Sequence, residues 1–313
     1  MHSLRGALRQ WSDGVPERVL VTGGSGTLGR LIVPRLRSAG REVRVASRRS
    51  ADVPVDLATG AGLAGAVAGC ETIVHLATGV RGLYRAMHAV DVLGTQRLLE
   101  HAGRAGVRHF LYISIVGVDQ IPFGYYRAKL QAERLIQRQT AVNWSILRAT
   151  QFHDLVNLYF RTLRWLPALL IPKATPCQPV DAGEVADRLC ALVLGGPAGR
   201  FPDFGGPQVL GADELARAWL AATNTRRAIV ALPVPGRVAV GFRAGLHTTP
   251  EHCDGQVSWQ DWLARTYPGR GGGRGSLSGA GRHRSRPSTG QPIRPPSDDS
   301  GTTRWTPLPI LLP

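Results

Sequence analysis

Arg18-Val-Leu-Val-Thr-Gly-Gly-Ser-Gly-Thr-Leu-Gly-Arg30 decides how the rest of the chain is read. Val19, Leu20 and Val21 form a short apolar run of the kind that fills a buried parallel strand. A turn follows through Thr22, Gly23, Gly24, Ser25, Gly26, Thr27, Leu28 and Gly29, and then Leu28, Leu31, Ile32 and Leu36 recur at helical spacing. Strand, glycine turn and helix together make the unit that holds a dinucleotide pyrophosphate. The first N–H groups of a helix have no internal partners and carry the positive end of its dipole. Glycines let the backbone turn tightly and approach a ligand where a Cβ would intervene. The spacing is Gly23-x-x-Gly26-x-x-Gly29. Pro34 predicts a kinked or locally irregular helix that still presents its N-terminus.

Composition sets the bounds. The 313 residues are 43% hydrophobic and 19% charged, enough for one sizeable core with a small second lobe. The net charge of +16 is carried almost wholly by arginine, Lys129 and Lys173 being the only lysines. With the Ala, Gly and Pro content this reads as a GC-rich coding bias. No basic helix is interleaved with aromatics, so no specific nucleic-acid partner is expected. Cys70, Cys177, Cys190 and Cys253 form no C-x-x-C pair, which suits a reduced, cytoplasmic protein without a metal site. Met1 to Glu17 lacks an apolar h-region and reads as an N-terminal extension, not a secretory signal. Leu155 to Pro172, the most apolar segment, is interrupted by Arg161, Arg164 and Pro167, and no membrane span is expected.

Further elements follow in order. Glu42 to Ser47 alternates as a second strand and leads into Arg48-Arg49, where an NAD-preferring site carries an acid. Guanidinium forks match a phosphate, so the pair predicts preference for NADP(H) over NAD(H); a solvated arginine pair is the other reading. Val53 to Leu57 predicts a short strand ending in Asp56, itself also a candidate helix N-cap. A fourth strand spans Thr72 to Thr78, in which His75 reads as a locally hydrogen-bonded strand-end residue. Val90 to Ala102 is a predicted helix closed by Gly106. Arg108 to Ser114 predicts the fifth strand, with Ser114 near the C-terminal end where open α/β sheets place ligands. Eleven residues on, Tyr125 and Lys129 share a helix face at i, i+4. An ammonium beside a phenol lowers its pKa and makes it a proton donor or acceptor for a carbonyl or alcohol. Tyr126 also reaches Lys129, at i, i+3.

As a set, Thr22 to Gly29, Val90 to Leu99, and Ser114, Tyr125 and Lys129 resemble the short-chain dehydrogenase/reductase superfamily, in its atypical, NmrA-like branch. Asp91 departs from that pattern, which has Asn there. The resemblance covers roughly Arg18 to Arg265. It implies a doubly wound parallel α/β sheet, an NAD(P)-binding Rossmann fold, with a small C-terminal substrate lobe mainly over 153–265. It implies that Gly23, Gly26 and Gly29 hold the pyrophosphate and Arg48 and Arg49 the 2′-phosphate, with Thr22, Ser25, Thr27, Leu28 and Ser47 also binding the cofactor. Asp56 and Leu57 would lie by the adenine, Leu76 and Ala77 under the cofactor, and Lys129 would also bind it. Ser114, Tyr125 and Lys129 would be catalytic, and Gln151, Phe152 and His153 would edge the substrate pocket. The expected function is NADP(H)-dependent hydride transfer to or from a small carbonyl, alcohol or quinone-like substrate. A non-catalytic NADP(H)-binding redox sensor, or an epimerase or dehydratase that recycles its cofactor, remains open, as does a monomer or homodimer.

In the substrate lobe the apolar pattern predicts a helix over Leu155 to Leu170, Asp181 as the N-cap of a helix over Ala182 to Leu194, and helices over Leu215 to Ala222 and Val257 to Ala264. From 266 to 313 the chain turns Gly/Arg/Pro/Ser-rich with little to bury, which predicts a disordered tail.

Overall fold

The computed structural model describes residues 17–48, 52–79 and 84–268. Arg49, nearly all of the N-terminal extension and nearly all of the Gly/Arg-rich tail lie outside them.

Alternating short apolar strands and amphipathic helices build the first half: β1 (Arg18–Thr22), α1 (Thr27–Ser38), β2 (Glu42–Ser47), β3 (Val53–Pro54), α2 (Leu63–Val67) and β4 (Thr72–His75). Next comes α3 (Tyr84–His88), which runs through a π-helical turn at Ala89–Leu93 into α4 (Gly94–Arg104). Then follow β5 (His109–Ile115), α5 (Gly124–Arg138), β6 (Asn143–Ala149) and α6 (His153–Thr162). The remaining elements are β7 (Ala168–Pro172), β8 (Pro176–Cys177), α7 (Ala182–Gly195), β9 (Gly199–Arg200), β10 (Leu210–Gly211), α8 (Ala212–Ala222), β11 (Ala228–Leu232), α9 (Arg237–Arg243) and α10 (Trp259–Thr266).

Seven strands form one parallel sheet in the order β3-β2-β1-β4-β5-β6-β9. The order reverses between β1 and β4, so a crevice opens at their C-terminal ends, the usual ligand position in such sheets. Side chains alternate across β5. Leu111 and Ile113 join Leu28, Ile32 and Leu36 of α1 and Val185 and Leu189 of α7 on one face. Phe110 and Tyr112 join Leu98 of α4 and Ala132 and Ile136 of α5 on the other. This period of two places Ser114 on the α5 face with Tyr112.

The C-terminal lobe has its own core, in which Val156 and Phe160 of α6 pack with Leu169, Leu215, Trp219, Trp259 and Trp262. Asp181 caps α7, its carboxylate accepting from the N–H groups of Gly183 (2.8 Å) and Glu184 (3.2 Å).

Three local readings are corrected. Helix α1 runs without interruption through Pro34, which lies on its exposed side, so the carbonyl that loses its partner faces water. The helix expected to reach Leu170 stops at Thr162. Pro167 cannot continue a helix, and Ala168–Pro172 instead pairs in parallel with β11. The helix over Val90 to Ala102 begins as a π-helical turn, and α-helical geometry starts only at Gly94.

Candidate active site

At the end of β1 the chain turns through Gly23, whose φ of +70 is comfortable only for glycine. A Cβ there would also lie 2.7 Å from the backbone nitrogen of Ala77, just past β4. One on Gly29 would lie 2.4 Å from the Gly23 carbonyl oxygen, inside the strand–helix packing. Gly26 is the N-cap of α1 and its side makes no capping bond, so the first N–H groups of α1 stay available to an anion. These glycines fit a dinucleotide on this structure's own terms: the turn is compressed to backbone thickness against the β4 exit, and its free donors face the crevice at the sheet's reversal. Beside it, Thr22 and His75 are joined by a 2.6 Å hydrogen bond between Oγ1 and Nδ1, and Nε2 of His75 lies 3.0 Å from Thr95 Oγ1. His75 is fully buried, and that burial pushes its pKa down to about 3. It is a neutral strut, not a base.

Around the crevice, Arg48 is exposed at the end of β2. The nearest acid, Asp52, accepts from the Val45 N–H at 2.9 Å and pairs with Arg37 at 3.7 Å. Asp56 caps a turn by accepting from the Ala58 N–H at 2.9 Å, and Gly62 precedes α2 in place of an acidic cap. Leu57 is buried against Gly94.

A second group of polar side chains gathers where β4, the π-helical turn and α5 meet. Asp91 is 1% exposed. Its carboxylate accepts from Thr78 Oγ1 at 2.7 Å and from the Gly79 N–H at 2.8 Å, and lies 3.9 Å from Lys129 Nζ. A π-helical turn carries one residue more than an α-turn, and such turns recur at functional sites. Here it holds Asp91 facing the β4 exit. Thr78 Oγ1 is also 3.2 Å from the Tyr125 hydroxyl. Thr78 has one hydroxyl proton, and the shorter bond to an acceptor-only carboxylate commits it to Asp91. Tyr125 therefore donates to Thr78.

Lys129 is correspondingly turned. Its ammonium donates to the Ile113 carbonyl at 3.2 Å and sits 4.6 Å from the centre of the Tyr112 ring. Burial lowers its pKa, opposed by Asp91 and Glu133. Tyr125 is pushed above its ordinary value, chiefly by burial and then by Asp91, with the Thr78 bond acting the other way. The phenolate stabilisation read from the i, i+4 spacing is thus absent from this arrangement, because the ammonium is held by a carbonyl and a carboxylate instead. Ser114 is buried on the same side, and its Oγ has no hydrogen-bond partner. Tyr126 points the other way, to Phe242 (ring centroids 5.9 Å apart).

Beyond Gln151 lies a cavity of about 90 Å³ between the sheet and the C-terminal lobe. Val156, Tyr159, Phe160, Ile171, Pro172 and Phe242 supply apolar wall, and Lys173 and Arg243 also line it. Phe242 of α9 links this wall to the β5–α5 loop, touching Phe123 as well as Tyr126. Gly117 in that loop abuts the Leu246 carbonyl, with no room for a Cβ. Of the three residues expected at the pocket edge, Gln151 lines the cavity. Phe152 packs on the sheet core, and its backbone pairs with Val180. His153 is fully buried against Trp259 and Trp262, with Nε2 bonded to the Val257 carbonyl at 3.0 Å. Those tryptophans hold its ring away from the cavity. Lys173 and Arg243 had no site signal in the sequence, and Thr78 had none beyond its place in the segment expected under the cofactor. Of the buried cluster, Tyr125 and Lys129 were singled out by their spacing and Asp91 by its departure from the pattern.

Among the described residues no group of His, Cys, Asp and Glu is arranged to hold a metal, and no helix is long and apolar enough to cross a membrane.

Residues 23–157 match the family described as NAD(P)H-binding. The chain is 29% identical over 216 residues to a (4-alkanoyl-5-oxo-2,5-dihydrofuran-3-yl)methyl phosphate reductase of Streptomyces griseus, covering 63% of this chain and 70% of that protein. It is 33% identical to a 3 beta-hydroxysteroid dehydrogenase/Delta 5-->4-isomerase of Mycobacterium tuberculosis, over 40% of this chain and only 44% of that one. Among solved structures, an NAD-bound short-chain dehydrogenase/reductase superfamily protein from Agrobacterium tumefaciens superposes with a TM-score of 0.62 at 21% identity, covering 80% of this chain and 96% of its own. A nucleoside-diphosphate-sugar epimerase from Staphylococcus aureus does so with a TM-score of 0.64 at 17% identity, covering 79% and 99%. At those identities the two structures share the fold.

Proposed function

We propose that the chain is an NAD(P)-binding protein of the atypical short-chain dehydrogenase/reductase type and that it is an NADP(H)-dependent oxidoreductase acting on a carbonyl, alcohol or quinone-like substrate. The observation that carries the reading is the Tyr125–Thr78–Asp91 chain of hydrogen bonds beside the glycine turn. A bound nicotinamide dinucleotide supplies or accepts the hydride. Everything else falls to the protein. Thr22, Gly23, Ser25, Gly26, Thr27, Leu28 and Gly29 would hold the pyrophosphate through the α1 N-terminus. Arg48 is exposed at the end of β2 beside Ser47, and the nearest acid, Asp52, is engaged by the Val45 N–H and by Arg37, which supports a 2′-phosphate there. Lys129 has donors beyond its bond to Ile113 for the neighbouring ribose hydroxyls.

Proton movement belongs to Tyr125. In the oxidising direction the substrate hydroxyl gives its proton to the Tyr125 oxygen. The phenol proton passes to Thr78 Oγ1, and the Thr78 proton passes to Asp91 Oδ1. Reduction runs the same transfers backwards. Ser114 Oγ, buried without a partner, is a second hydroxyl available to the substrate oxygen.

Titration with NADPH and NADH, followed by nicotinamide fluorescence, tests the cofactor half of this reading. The expected result is tight NADPH and weak NADH binding. Tyr125→Phe should retain the NADPH affinity and lose turnover by about 10²–10⁴-fold. Absence of binding by either dinucleotide would sink the reading. One observation favours a second one: Lys129 is engaged away from Tyr125, which suits a redox sensor that binds NADP(H) without turnover. In that case Tyr125→Phe changes nothing measurable.

A further inference from the structure

The cavity beside Gln151 combines two features that seldom occur together without cause. Its wall is almost wholly apolar, yet Lys173 and Arg243 both line it and no carboxylate does. Both residues are tied to one short segment, Lys173 through its backbone and Arg243 through its side chain. The backbone nitrogen of Lys173 bonds the Leu232 carbonyl at 2.9 Å, and Arg243 Nη1 bonds the Val234 carbonyl at 2.6 Å. That bond uses one arm of the guanidinium and leaves the other donors open. The Lys173 ammonium has no hydrogen-bond or ion-pair partner among the described residues. In a chain whose only other lysine is Lys129, this one is placed where a compact positive charge meets an apolar hollow.

Resting on the proposed function above, we propose that the substrate is an amphipathic anion. Its short apolar body fills the cavity, its carboxylate or phosphate is met by Lys173 and Arg243, and its reacting oxygen lies toward Gln151 and Tyr125. Both cations are exposed at the edge of the cavity, so an anionic head can take charge-assisted bonds from them while the apolar body of the same ligand leaves water for the cavity. At about 10–15 Å³ for each water-sized group, the cavity holds roughly six to nine carbon-sized groups, a short chain or one ring.

Calorimetric titration of the full chain with hexyl phosphate, hexanoate, 1-hexanol and inorganic phosphate tests this. At low salt, one or both hexyl anions should bind at least tenfold tighter than 1-hexanol, and affinity should rise about fourfold per methylene from the butyl to the hexyl compound. The preference should fall to within twofold in the Lys173→Gln, Arg243→Gln double variant. Lys173→Gln alone should cut it at least threefold, which keeps the test decisive if loss of the Arg243–Val234 bond lowers the thermal midpoint. Hexyl phosphate ahead of hexanoate identifies a phosphomonoester head; the reverse identifies a carboxylate; both support the proposal. Hexanol binding as tightly as the anions would overturn it. So would inorganic phosphate matching hexyl phosphate, or an anion preference that survives both substitutions. NADPH titration of the same samples separates the two readings. Bound NADPH without hexyl-anion preference overturns only the substrate class, whereas failure of NADPH to bind overturns the oxidoreductase.

Discussion

Replacing Asp91 by Asn removes one charge and almost no volume, and the structure says what should follow. The Gly79 N–H needs an acceptor, so the amide oxygen takes that bond and the NH₂ group turns to Thr78. Thr78 must then accept from Asn and donate to Tyr125, reversing the proton chain. The larger effect falls on Lys129, whose Nζ lies 3.9 Å from the carboxylate with both side chains at most 4% exposed. Two unit charges at that distance attract by about 4 kcal/mol at an effective dielectric of 20, and breaking a buried pair from one side costs about 3–5 kcal/mol. Asn retains hydrogen bonds and Lys129 retains the Ile113 carbonyl, so we expect a loss of about 3 kcal/mol at pH 7. Its pH dependence has a definite sign. Burial already holds Lys129 below its ordinary value and Asp91 pulls it back up. Without Asp91 the folded value falls further, while the unfolded chain still holds that proton up to about pH 10.4. Between those two values the unfolded state binds more protons, so the variant regains stability as pH rises. Urea unfolding of both proteins at pH 7 and pH 9.5 measures this. A variant within about 0.5 kcal/mol of the parent at pH 7, or a deficit that is the same at both pH values, would refute the assignment of Asp91 as the counter-charge of Lys129.

Other expectations are simpler. Gly29→Ala places a Cβ 2.4 Å from backbone atoms of Gly23 and Gly24, and should abolish NADPH binding by fluorescence titration. Gly65→Ala has open space in α2 and should raise the unfolding free energy by about 0.5–1 kcal/mol in urea. Thr78→Val interrupts the proton chain and should lower kcat in steady-state assays at unchanged NADPH affinity. Burial pushes the pKa values of His75, His109 and His247 down to about 3, 4 and 4. These groups bind a proton less readily folded than unfolded, so their contribution is full above about pH 6.5 and is lost as pH falls toward 4. Each should cost about 2 kcal/mol by pH 5, seen as a drop in urea midpoint between pH 7 and pH 5; a flat profile would count against neutral, buried histidines.

Much of this was legible from residue order alone. Apolar runs, Gly23-x-x-Gly26-x-x-Gly29 and the helical spacing of Leu130 to Ile136 carry the parallel sheet, because each is a local signal read over a few residues. The buried cluster was visible as the Tyr125–Lys129 spacing and the oddity of Asp91, but not as one connected group. Its meaning depends on a π-helical turn, which has no period of its own in sequence, and on Thr78 and Tyr125, 47 residues apart, meeting across the crevice. Direction was equally hidden. Spacing puts Lys129 and Tyr125 on one face of α5, but burial and the Ile113 carbonyl decide where the ammonium points. In the C-terminal lobe, Ala168–Pro172 reads as helix by composition and becomes a strand because β11, 60 residues on, supplies its partner.

Phe242 touches both the cavity and Tyr126, and Gly117 leaves no slack between the β5–α5 loop and Leu246. The compartment that would take the substrate and the helix that carries Tyr125 are therefore one mechanical body. A guest that pushes on Phe242 presses on the root of α5, so filling the cavity and aligning the phenol are a single event, and a molecule too short to reach Phe242 would occupy the site without setting the tyrosine.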